Sequence, residues 1–254
     1  MPLPMRTVSE YRVLYAMCYD IVAHEHFVYH AYSSIALACQ NMPVWLWISQ
    51  GLHKEKVRQF FNEFLEKYDS PLVGLVAEEK FALDFANMYS SEFTHKEIIA
   101  YSLPNEVPIV TSDEVQLRLA LPHDTPLVLQ WLGAFYEETL QAQLPSVGDS
   151  KVRVNRPPKI YILSDSQYTP LGMGMLTNTE EAGRINLVYI LPQYRRNGYG
   201  KALVSALAQK ARDARQVPVL YTASDNVAAN ALYTGLGFAE AGRLTEVRFA
   251  EVVT

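Results

Sequence analysis

A strand, a basic turn with two glycines and a helix follow one another between residues 188 and 215. Apolar residues run from Val188 to Leu191 and stop at Pro192. Leucines and alanines then recur at helical spacing over residues 201–215. A helix that begins directly after such a turn leaves its first backbone N–H groups unpaired, and its dipole adds partial positive charge there. This order predicts an α/β protein with a turn that can bind a phosphate or diphosphate.

The residues of the turn support the same prediction. Gly198 and Gly200 lack a Cβ, so the backbone can adopt positive φ and lie close to a ligand. Arg195, Arg196 and Lys201 add full positive charges. An ordinary strand-to-helix turn with solvated arginines explains the glycines equally well, because short glycine patterns recur by chance. The turn lacks the Gly-Lys-Ser/Thr of a Walker loop and the third glycine of the dinucleotide fingerprint.

The segment Arg195-x-x-Gly198-x-Gly200, after a strand that stops at Pro192, resembles the acyl-CoA pyrophosphate loop of the GNAT superfamily of N-acyltransferases. A second segment, Asn226–Phe238, resembles the helix of that superfamily with the pattern Asn…Ala-x-x-Leu-Tyr-x-x-x-Gly-Phe. The apolar strand Val217–Ala223 lies between the two motifs, in the order that the superfamily uses. Together they imply a GNAT fold over roughly residues 114–250.

The resemblance implies that acetyl-CoA is the acyl donor and that an amine is the acceptor. Tyr233 is expected to protonate the departing CoA thiolate, since a phenol of pKa about 10 can donate to a thiolate whose conjugate acid has a pKa of about 8.5. A core tyrosine that packs on the sheet is the alternative interpretation. For Asn226, a helix cap is an equally good interpretation. The residues expected to bind the cofactor are Val188, Tyr189, Ile190, Arg195, Arg196, Asn197, Gly198, Tyr199, Gly200, Lys201, Asn226 and Asn230.

A base is also expected, because an amine of pKa near 10.4 is neutral in only about one of 2,500 molecules at pH 7. The strand Ile185–Ile190 carries no carboxylate. Glu137 and Glu138, at the end of a predicted helix, are candidates, but solvated surface charges are the simpler interpretation. A CoA-binding sensor or interaction protein without transfer activity is the alternative function, and a longer acyl donor is also open. The acceptor and the oligomeric state stay open.

The predicted fold is α/β, with a C-terminal GNAT-like mixed sheet flanked by helices after a smaller α/β N-terminal domain. We predict an N-terminal domain over residues 1–108 and a GNAT domain over residues 114–254. The boundary is Leu103–Pro108, where two prolines separate a helical stretch from a strand. The elements predicted after it are Val115–Ala120, a helix over 127–140, the hairpin Lys159–Ser164 and Leu171–Thr177, the strand Arg184–Leu191, the helix over 201–215, Val217–Ala223, a helix from Asn226, and final strands.

The N-terminal part repeats this order faintly and resembles bacterial proteins in which a degenerate GNAT-like half precedes a GNAT domain. After Val44–Ser49, the segment Gln50–His53 has one glycine and no arginine. We therefore expect this half to bind no CoA and to shape the acceptor site or serve as scaffold. Its predicted elements are a helix over Tyr11–Tyr32, the hairpin Ser34–Gln40 and Val44–Ser49, the helix Lys54–Lys67, the strand Leu72–Ala77 and the helix Glu78–Phe93.

Charge, hydropathy and cysteine usage exclude several classes of protein. Residues 1–113 carry 8 Lys and Arg against 14 Asp and Glu, so this half is a poor nucleic-acid surface. No run of 18 apolar residues is present, so we expect no membrane span. The first residues do not read as a signal peptide, and Cys18 and Cys39 are too few for a disulfide framework. These features predict a cytoplasmic protein.

A metal site has weak support. His24, His26 and His30 could place two imidazoles on one face of the predicted helix. The zincin pattern His-Glu-x-x-His fails, because Val28 stands where the second histidine is required. We therefore expect no metal.

Overall fold

The computed structural model describes residues 26–39, 42–109, 113–140, 159–179 and 181–250, which form one sheet of eleven strands and five helices. The strands are β1 (His26–Ala31), β2 (Ser34–Cys39), β3 (Val44–Trp47), β4 (Gly74–Ala77), β5 (Phe93–Ser102), β6 (Val115–Leu119), β7 (Lys159–Asp165), β8 (Pro170–Asn178), β9 (Ala182–Ile190), β10 (Val217–Ala223) and β11 (Ala239–Phe249). The helices are α1 (Lys54–Lys67), α2 (Glu79–Tyr89), α3 (Thr125–Leu140), α4 (Tyr199–Asp213) and α5 (Val227–Gly235). The predicted α/β class, with a mixed sheet flanked by helices, is confirmed.

The strand order interlocks the two halves of the chain. It runs β1-β2-β3-β4-β11-β5-β10-β9-β8-β7-β6. The N-terminal strand β5 lies between β10 and β11, and it is antiparallel to both. The C-terminal strand β11 lies in turn between β4 and β5. Each half therefore places its last strand inside the sheet of the other half.

Each half also contains one pair of parallel neighbours joined by a helix. Strands β3 and β4 are parallel and are connected through α1, and strands β9 and β10 are parallel and are connected through α4. A helix then follows each second strand, α2 after β4 and α5 after β10. The faint internal repeat in the sequence therefore corresponds to a repeated order of elements.

Several predicted elements are confirmed with their bounds almost unchanged. The helix Lys54–Lys67 and the strand Val217–Ala223 agree with α1 and β10 at both ends. The hairpin of β7 and β8 and the hairpin of β2 and β3 both form as antiparallel pairs. The predicted final strands are a single strand, β11.

The predicted helix Tyr11–Tyr32 is wrong over the part that the structure describes. His26–Ala31 is a strand that pairs with β2, and the rest of that range lies outside the described residues. Burial alternates here, since Tyr29 is buried whereas Val28 and His30 are exposed. This period of two is typical of a strand with one face on the core.

The helix predicted over Glu78–Phe93 is too long, and the helical stretch expected before Pro104 is a strand. The helix α2 ends at Tyr89, and β5 begins at Phe93. Positions 98–101 of β5 are all buried. A central strand that is buried on both faces has an unbroken apolar run, so its periodicity cannot distinguish it from a helix.

Helix α4 packs closely on the strands that precede it. Leu203, Leu207 and Ala211 are fully buried, and each buried leucine contributes about 1.5–3 kcal/mol to stability. A Cβ on Gly174 of β8 would lie 2.6 Å from Leu207 Cδ1. The glycine therefore allows α4 to lie directly against the sheet.

Candidate active site

A cleft opens between β9 and β10. The two strands pair at only three positions, from Ala182 with Val217 to Arg184 with Val219. Beyond Val219, β10 pairs with β5 alone. The main chain of β9 after Arg184 is therefore free of β10 at the carboxyl ends of two parallel strands, where α/β sheets bind ligands.

A β-bulge in β9 accounts for this separation. Met173 of β8 is opposite Tyr189, whereas Met175 is opposite Asn186, so two residues of β9 face one residue of β8. Leu187, in the bulge, has a φ of +49°. A bulge bends its strand and increases its local twist, which turns the end of β9 away from β10.

The turn after β9 carries a row of unpaired donors. A short 3-10 turn, Pro192–Tyr194, leads to α4, which begins at Tyr199. The first backbone bond of the helix runs from Ala202 N to Gly198 O at 3.0 Å. Among the described residues, no acceptor takes the N–H groups of residues 196–201. Unpaired donors at the start of a helix, together with the helix dipole, suit an anion, and binding of a diphosphate here stays a prediction.

The two glycines of the turn have different roles. Gly198 has a φ of +82°, which favours glycine, although a Cβ there would meet nothing within 4 Å. Gly200 lies in the first turn of α4 without positive φ, so the expectation of positive φ is wrong for it. Its Cβ would lie 3.8 Å from Leu232 and 3.9 Å from Ile190. Gly200 therefore lies where the start of α4, helix α5 and the end of β9 meet.

The Arg195 side chain points back toward β9. Its Nε donates to Ile190 O at 2.8 Å, and its Nη2 donates to Glu138 Oε2 at 2.7 Å. The guanidinium also lies 5.5 Å from the centre of the Tyr189 ring. Arg196 and Lys201 are exposed and form no ion pair with another described residue. These two side chains are therefore cations of the turn that no described carboxylate neutralises.

Neighbouring side chains at the end of β9 point to opposite faces of the sheet. Tyr189 packs against α3, whereas Ile190 packs against α4, as neighbours in a strand do. Burial raises the pKa of Tyr189, and the nearby Glu138 carboxylate raises that pKa further. Val188 is half-buried on the unpaired part of the strand.

Asn226, which precedes α5, and Asn230, within α5, both use their side chains for hydrogen bonds inside the protein. Asn226 caps the helix, since its Oδ1 accepts from Ala229 N at 3.1 Å. Asn230 Oδ1 accepts from the Tyr101 hydroxyl at 2.8 Å. The Asn230 Nδ2 lies at 3.1, 3.1 and 2.9 Å from the carbonyl oxygens of Ala223, Ser224 and Asn226. The side chain of Asn230 therefore secures the turn between β10 and α5.

Tyr233 is both a core residue and the predicted proton donor. Its side chain is 7% exposed, and its ring lies 6.0 Å from that of Tyr101 and 6.1 Å from that of Phe238. Burial, with a smaller effect of Tyr101, raises the pKa of Tyr233 to about 12. The phenol therefore keeps its proton at neutral pH.

Two features of this site were missed from the sequence. Tyr101, on β5 of the N-terminal half, contacts both Asn230 and Tyr233. Glu138 was considered as a base, but its partner Arg195 was not foreseen. Both contacts join residues that are far apart in the chain, so no local pattern could reveal them.

The core of the N-terminal half is rich in aromatic rings. Gly51, before α1, has a φ of +78°, similar to that of Gly198. Behind it, the fully buried Phe60, Phe64 and Phe85 pack between the helices and the sheet. The expectation that the N-terminal half binds no CoA stays a prediction.

The described residues also bear on membranes and metals. No described helix is long and apolar enough to cross a membrane. Positions 26 and 30 lie on the strand β1, which at 3.3 Å per residue separates them by about 13 Å. The helix face expected for these histidines is therefore wrong. No cluster of three or more potential metal ligands occurs within the described ranges.

Residues 125–238 match the model of the acetyltransferase (GNAT) family. These residues form a GNAT domain. The domain runs from the start of α3 to Phe238, so it includes the turn, the cleft and α5. No curated protein matches the chain.

Solved structures share the fold of the GNAT domain and of the half that precedes it. A GCN5-related N-acetyltransferase from Kribbella flavida is 11% identical, with 96% of each chain covered and a TM-score of 0.64. A Drosophila protein is 13% identical over 87% of this chain and 75% of that chain, with a TM-score of 0.63. A GNAT-family acetyltransferase from Colwellia psychrerythraea is 13% identical over 96% and 98%, with a TM-score of 0.55. At these identities the likeness is one of fold.

Proposed function

We propose that this protein transfers an acetyl group from acetyl-CoA directly to an acceptor amine in the cleft between β9 and β10. The GNAT domain indicates acyl transfer in general. The observation that carries the finer proposal is the row of unpaired N–H groups at residues 196–201, which begins at the end of the cleft. A diphosphate fits this row, and the unpaired main chain of β9 fits an extended amide-containing arm.

Binding depends on the turn and on the strand before it. The N–H groups of residues 196–201 hold the diphosphate, and Arg196 and Lys201 neutralise part of its charge. The main chain at Val188, which the bulge frees from β10, pairs with the arm of the donor and leads the thioester into the cleft. Such alignment supplies a large share of the rate of a two-substrate reaction.

Tyr233 supplies the proton that the leaving group needs. The amine nitrogen attacks the carbonyl carbon of the thioester, the carbon–sulfur bond breaks, and its electron pair leaves on sulfur. The hydroxyl of Tyr233 gives its proton to that sulfur and then regains a proton from solvent, while the amine loses a proton to solvent. Burial raises the pKa of Tyr233, so the hydroxyl is neutral and carries the proton that it would give.

Substitution of Gly200 tests the binding site. Acetyl-CoA is expected to raise the melting temperature of the wild-type protein, and Gly200→Glu is expected to abolish this shift. A glutamate in the first helical turn suits the helix dipole, and its Cβ fits between Leu232 and Ile190, so folding should persist. Its carboxylate opposes the diphosphate. Gly200→Gln is the matched control without the charge, and it should keep part of the shift. A full shift in Gly200→Glu would contradict the site.

A turnover assay distinguishes an acetyltransferase from a CoA-binding sensor. Thiol release from acetyl-CoA over a panel of amines is expected for an enzyme. Tight acetyl-CoA binding without turnover by any amine would instead favour a CoA-binding sensor or interaction protein. Comparison of acetyl-, propionyl- and succinyl-CoA identifies the preferred donor.

A further inference from the structure

We propose that Glu138 is a positioning residue for the acyl-CoA donor, because it holds the Arg195 guanidinium against the end of β9 and so keeps the diphosphate turn in its binding shape. This inference rests on the proposed function, in that the turn binds the diphosphate of CoA. It gives the Arg195 side chain a structural role in binding, distinct from direct contact with phosphate.

The Arg195 side chain links the two ends of the turn that follows β9. Tyr194 N donates to Leu191 O at 2.9 Å, and Arg195 N donates to Pro192 O at 3.3 Å. The bond from Arg195 Nε to Ile190 O, at 2.8 Å, then joins the first and last residues of this turn. The unpaired N–H groups begin at the next residue. Their direction therefore depends on the geometry of residues 190–195.

Glu138 binds the Arg195 guanidinium from the face of the sheet that α3 covers. It lies in the last turn of α3, 57 residues from Arg195 in sequence. Helix α3 packs on the face that carries Tyr189, whereas α4 packs on the face that carries Ile190. The ion pair thus reaches around the end of β9, at a point where β9 no longer pairs with β10.

The two possible roles of Arg195 predict opposite effects at Glu138. If the guanidinium bound phosphate directly, Glu138 would compete for it, and removal of the carboxylate would tighten CoA binding. If the guanidinium instead positions the turn, removal of the carboxylate frees the guanidinium. The backbone N–H groups of the turn are then less preorganised, so CoA binding weakens.

The comparison of Glu138→Ala with Glu137→Ala decides between these roles. Both variants remove one negative charge from the same helix, and Glu137 is exposed and forms no ion pair with another described residue. Long-range electrostatics therefore change equally. We expect the Kd for CoA, measured by calorimetry, to be roughly threefold weaker in Glu138→Ala than in Glu137→Ala, the size expected for a half-exposed ion pair. Equal or tighter binding by Glu138→Ala overturns the inference.

Arg195→Lys provides a second, independent measurement. A lysine keeps the positive charge but cannot bridge Ile190 O and Glu138 with a planar fork. If Arg195 positions the turn, Arg195→Lys should bind CoA more weakly than the wild-type protein. This difference in affinity should persist at high salt, where direct charge effects are screened. Wild-type affinity in Arg195→Lys overturns the inference. Melting temperatures of the ligand-free variants should agree closely, since exposed ion pairs contribute little to stability.

Failure of the proposed function is distinguishable from failure of this inference. CoA binding without turnover by the wild-type protein overturns the proposed transfer, while the affinities of the variants still decide the role of Glu138. No CoA binding by the wild-type protein overturns both proposals. Wild-type binding with no weakening in Glu138→Ala overturns this inference alone.

Discussion

Tyr233 combines two properties at one residue, burial in an apolar core and a hydroxyl that keeps its proton. Burial raises the pKa of its phenol to about 12, because the phenolate would lose its hydration in the core. The rings of Tyr101 and Phe238 pack around it. The core and acid interpretations of the sequence are therefore compatible, and the acid role remains a proposal.

Tyr233→Phe tests that role. The substitution removes only the hydroxyl, so CoA affinity should be unchanged while kcat for acetyl transfer falls roughly 100-fold, as for loss of a general acid. Tyr161→Phe is the matched control, since Tyr161 is also a buried tyrosine of the same core. An unchanged kcat in Tyr233→Phe would show that another group or water protonates the thiolate.

The pH dependence of stability follows from the same pKa. The folded-state pKa of Tyr233, about 12, is above the value of about 10 for an unfolded tyrosine, so the unfolded chain loses this proton first. The protonated Tyr233 therefore makes its full stabilising contribution to the free energy of unfolding below pH 10. This contribution is lost as the pH rises from about 10 to 12. This loss should be smaller in Tyr233→Phe when unfolding is measured by denaturant titration at both ends of that range.

At the scale of elements, β5 and α5 meet through the contact between Tyr101 and Asn230. The Tyr101 hydroxyl donates to Asn230, whose amide also secures the carbonyls between β10 and α5. The helix that carries Tyr233 is thus held by a strand from the other half of the chain.

Tyr101→Phe should loosen α5 without removing the ring packing. An unsatisfied polar group in a buried position costs about 1–3 kcal/mol, so amides of residues 227–235 should exchange faster with deuterium than in the Tyr161→Phe control. Hydrogen exchange with peptide resolution measures this effect. Equal exchange in the two variants would mean that Asn230 holds the turn without Tyr101.

Close approach of elements also decides how β9 is shaped. Gly174 of β8 lies opposite the bulge in β9. Leu207 of α4 occupies the space that a side chain at Gly174 would need. The bulge and the helix therefore pack as one unit. The motif predicted the strand and the helix, but the bulge depends on pairing with β8, which no local pattern specifies.

At the scale of the whole molecule, exchange of the last strands makes the two halves depend on each other. β5 pairs along nearly its full length with β11, from Phe93 with Phe249 to Ser102 with Ala239. It also pairs with β10 on its other side. The proposed division near residues 108–114 remains a prediction about the chain, but the sheet crosses it.

A fragment of residues 109–254 should therefore not fold alone. Without β5, the edges of β10 and β11 lose their ladder partners, and exposed unpaired strands aggregate. We expect the fragment to be insoluble by itself and soluble when co-expressed with residues 1–108, as judged by size-exclusion chromatography. A monomeric fragment with cooperative unfolding would contradict this expectation.

Local patterns predicted much of this protein because they depend on neighbouring residues alone. The helix Lys54–Lys67 has a strong apolar period, and the turn before α4 has residues that suit its conformation at Gly198. The errors lie where pairing with distant strands overrides local preference. Local preference favours a helix at β1 and does not reveal β5, because both strands depend on partners that the sequence does not name.

The amino-acid order alone determined the α/β class, the glycine-containing turn before α4 and the tyrosine of α5, since local patterns of neighbouring residues set each of them. Only the tertiary structure decided that Arg195 faces Glu138, that Tyr101 reaches Asn230 and that the two halves exchange strands. These contacts join segments separated by tens of residues or more. They form only when the complete sheet brings those segments together, because burial and strand pairing act through space and not along the chain.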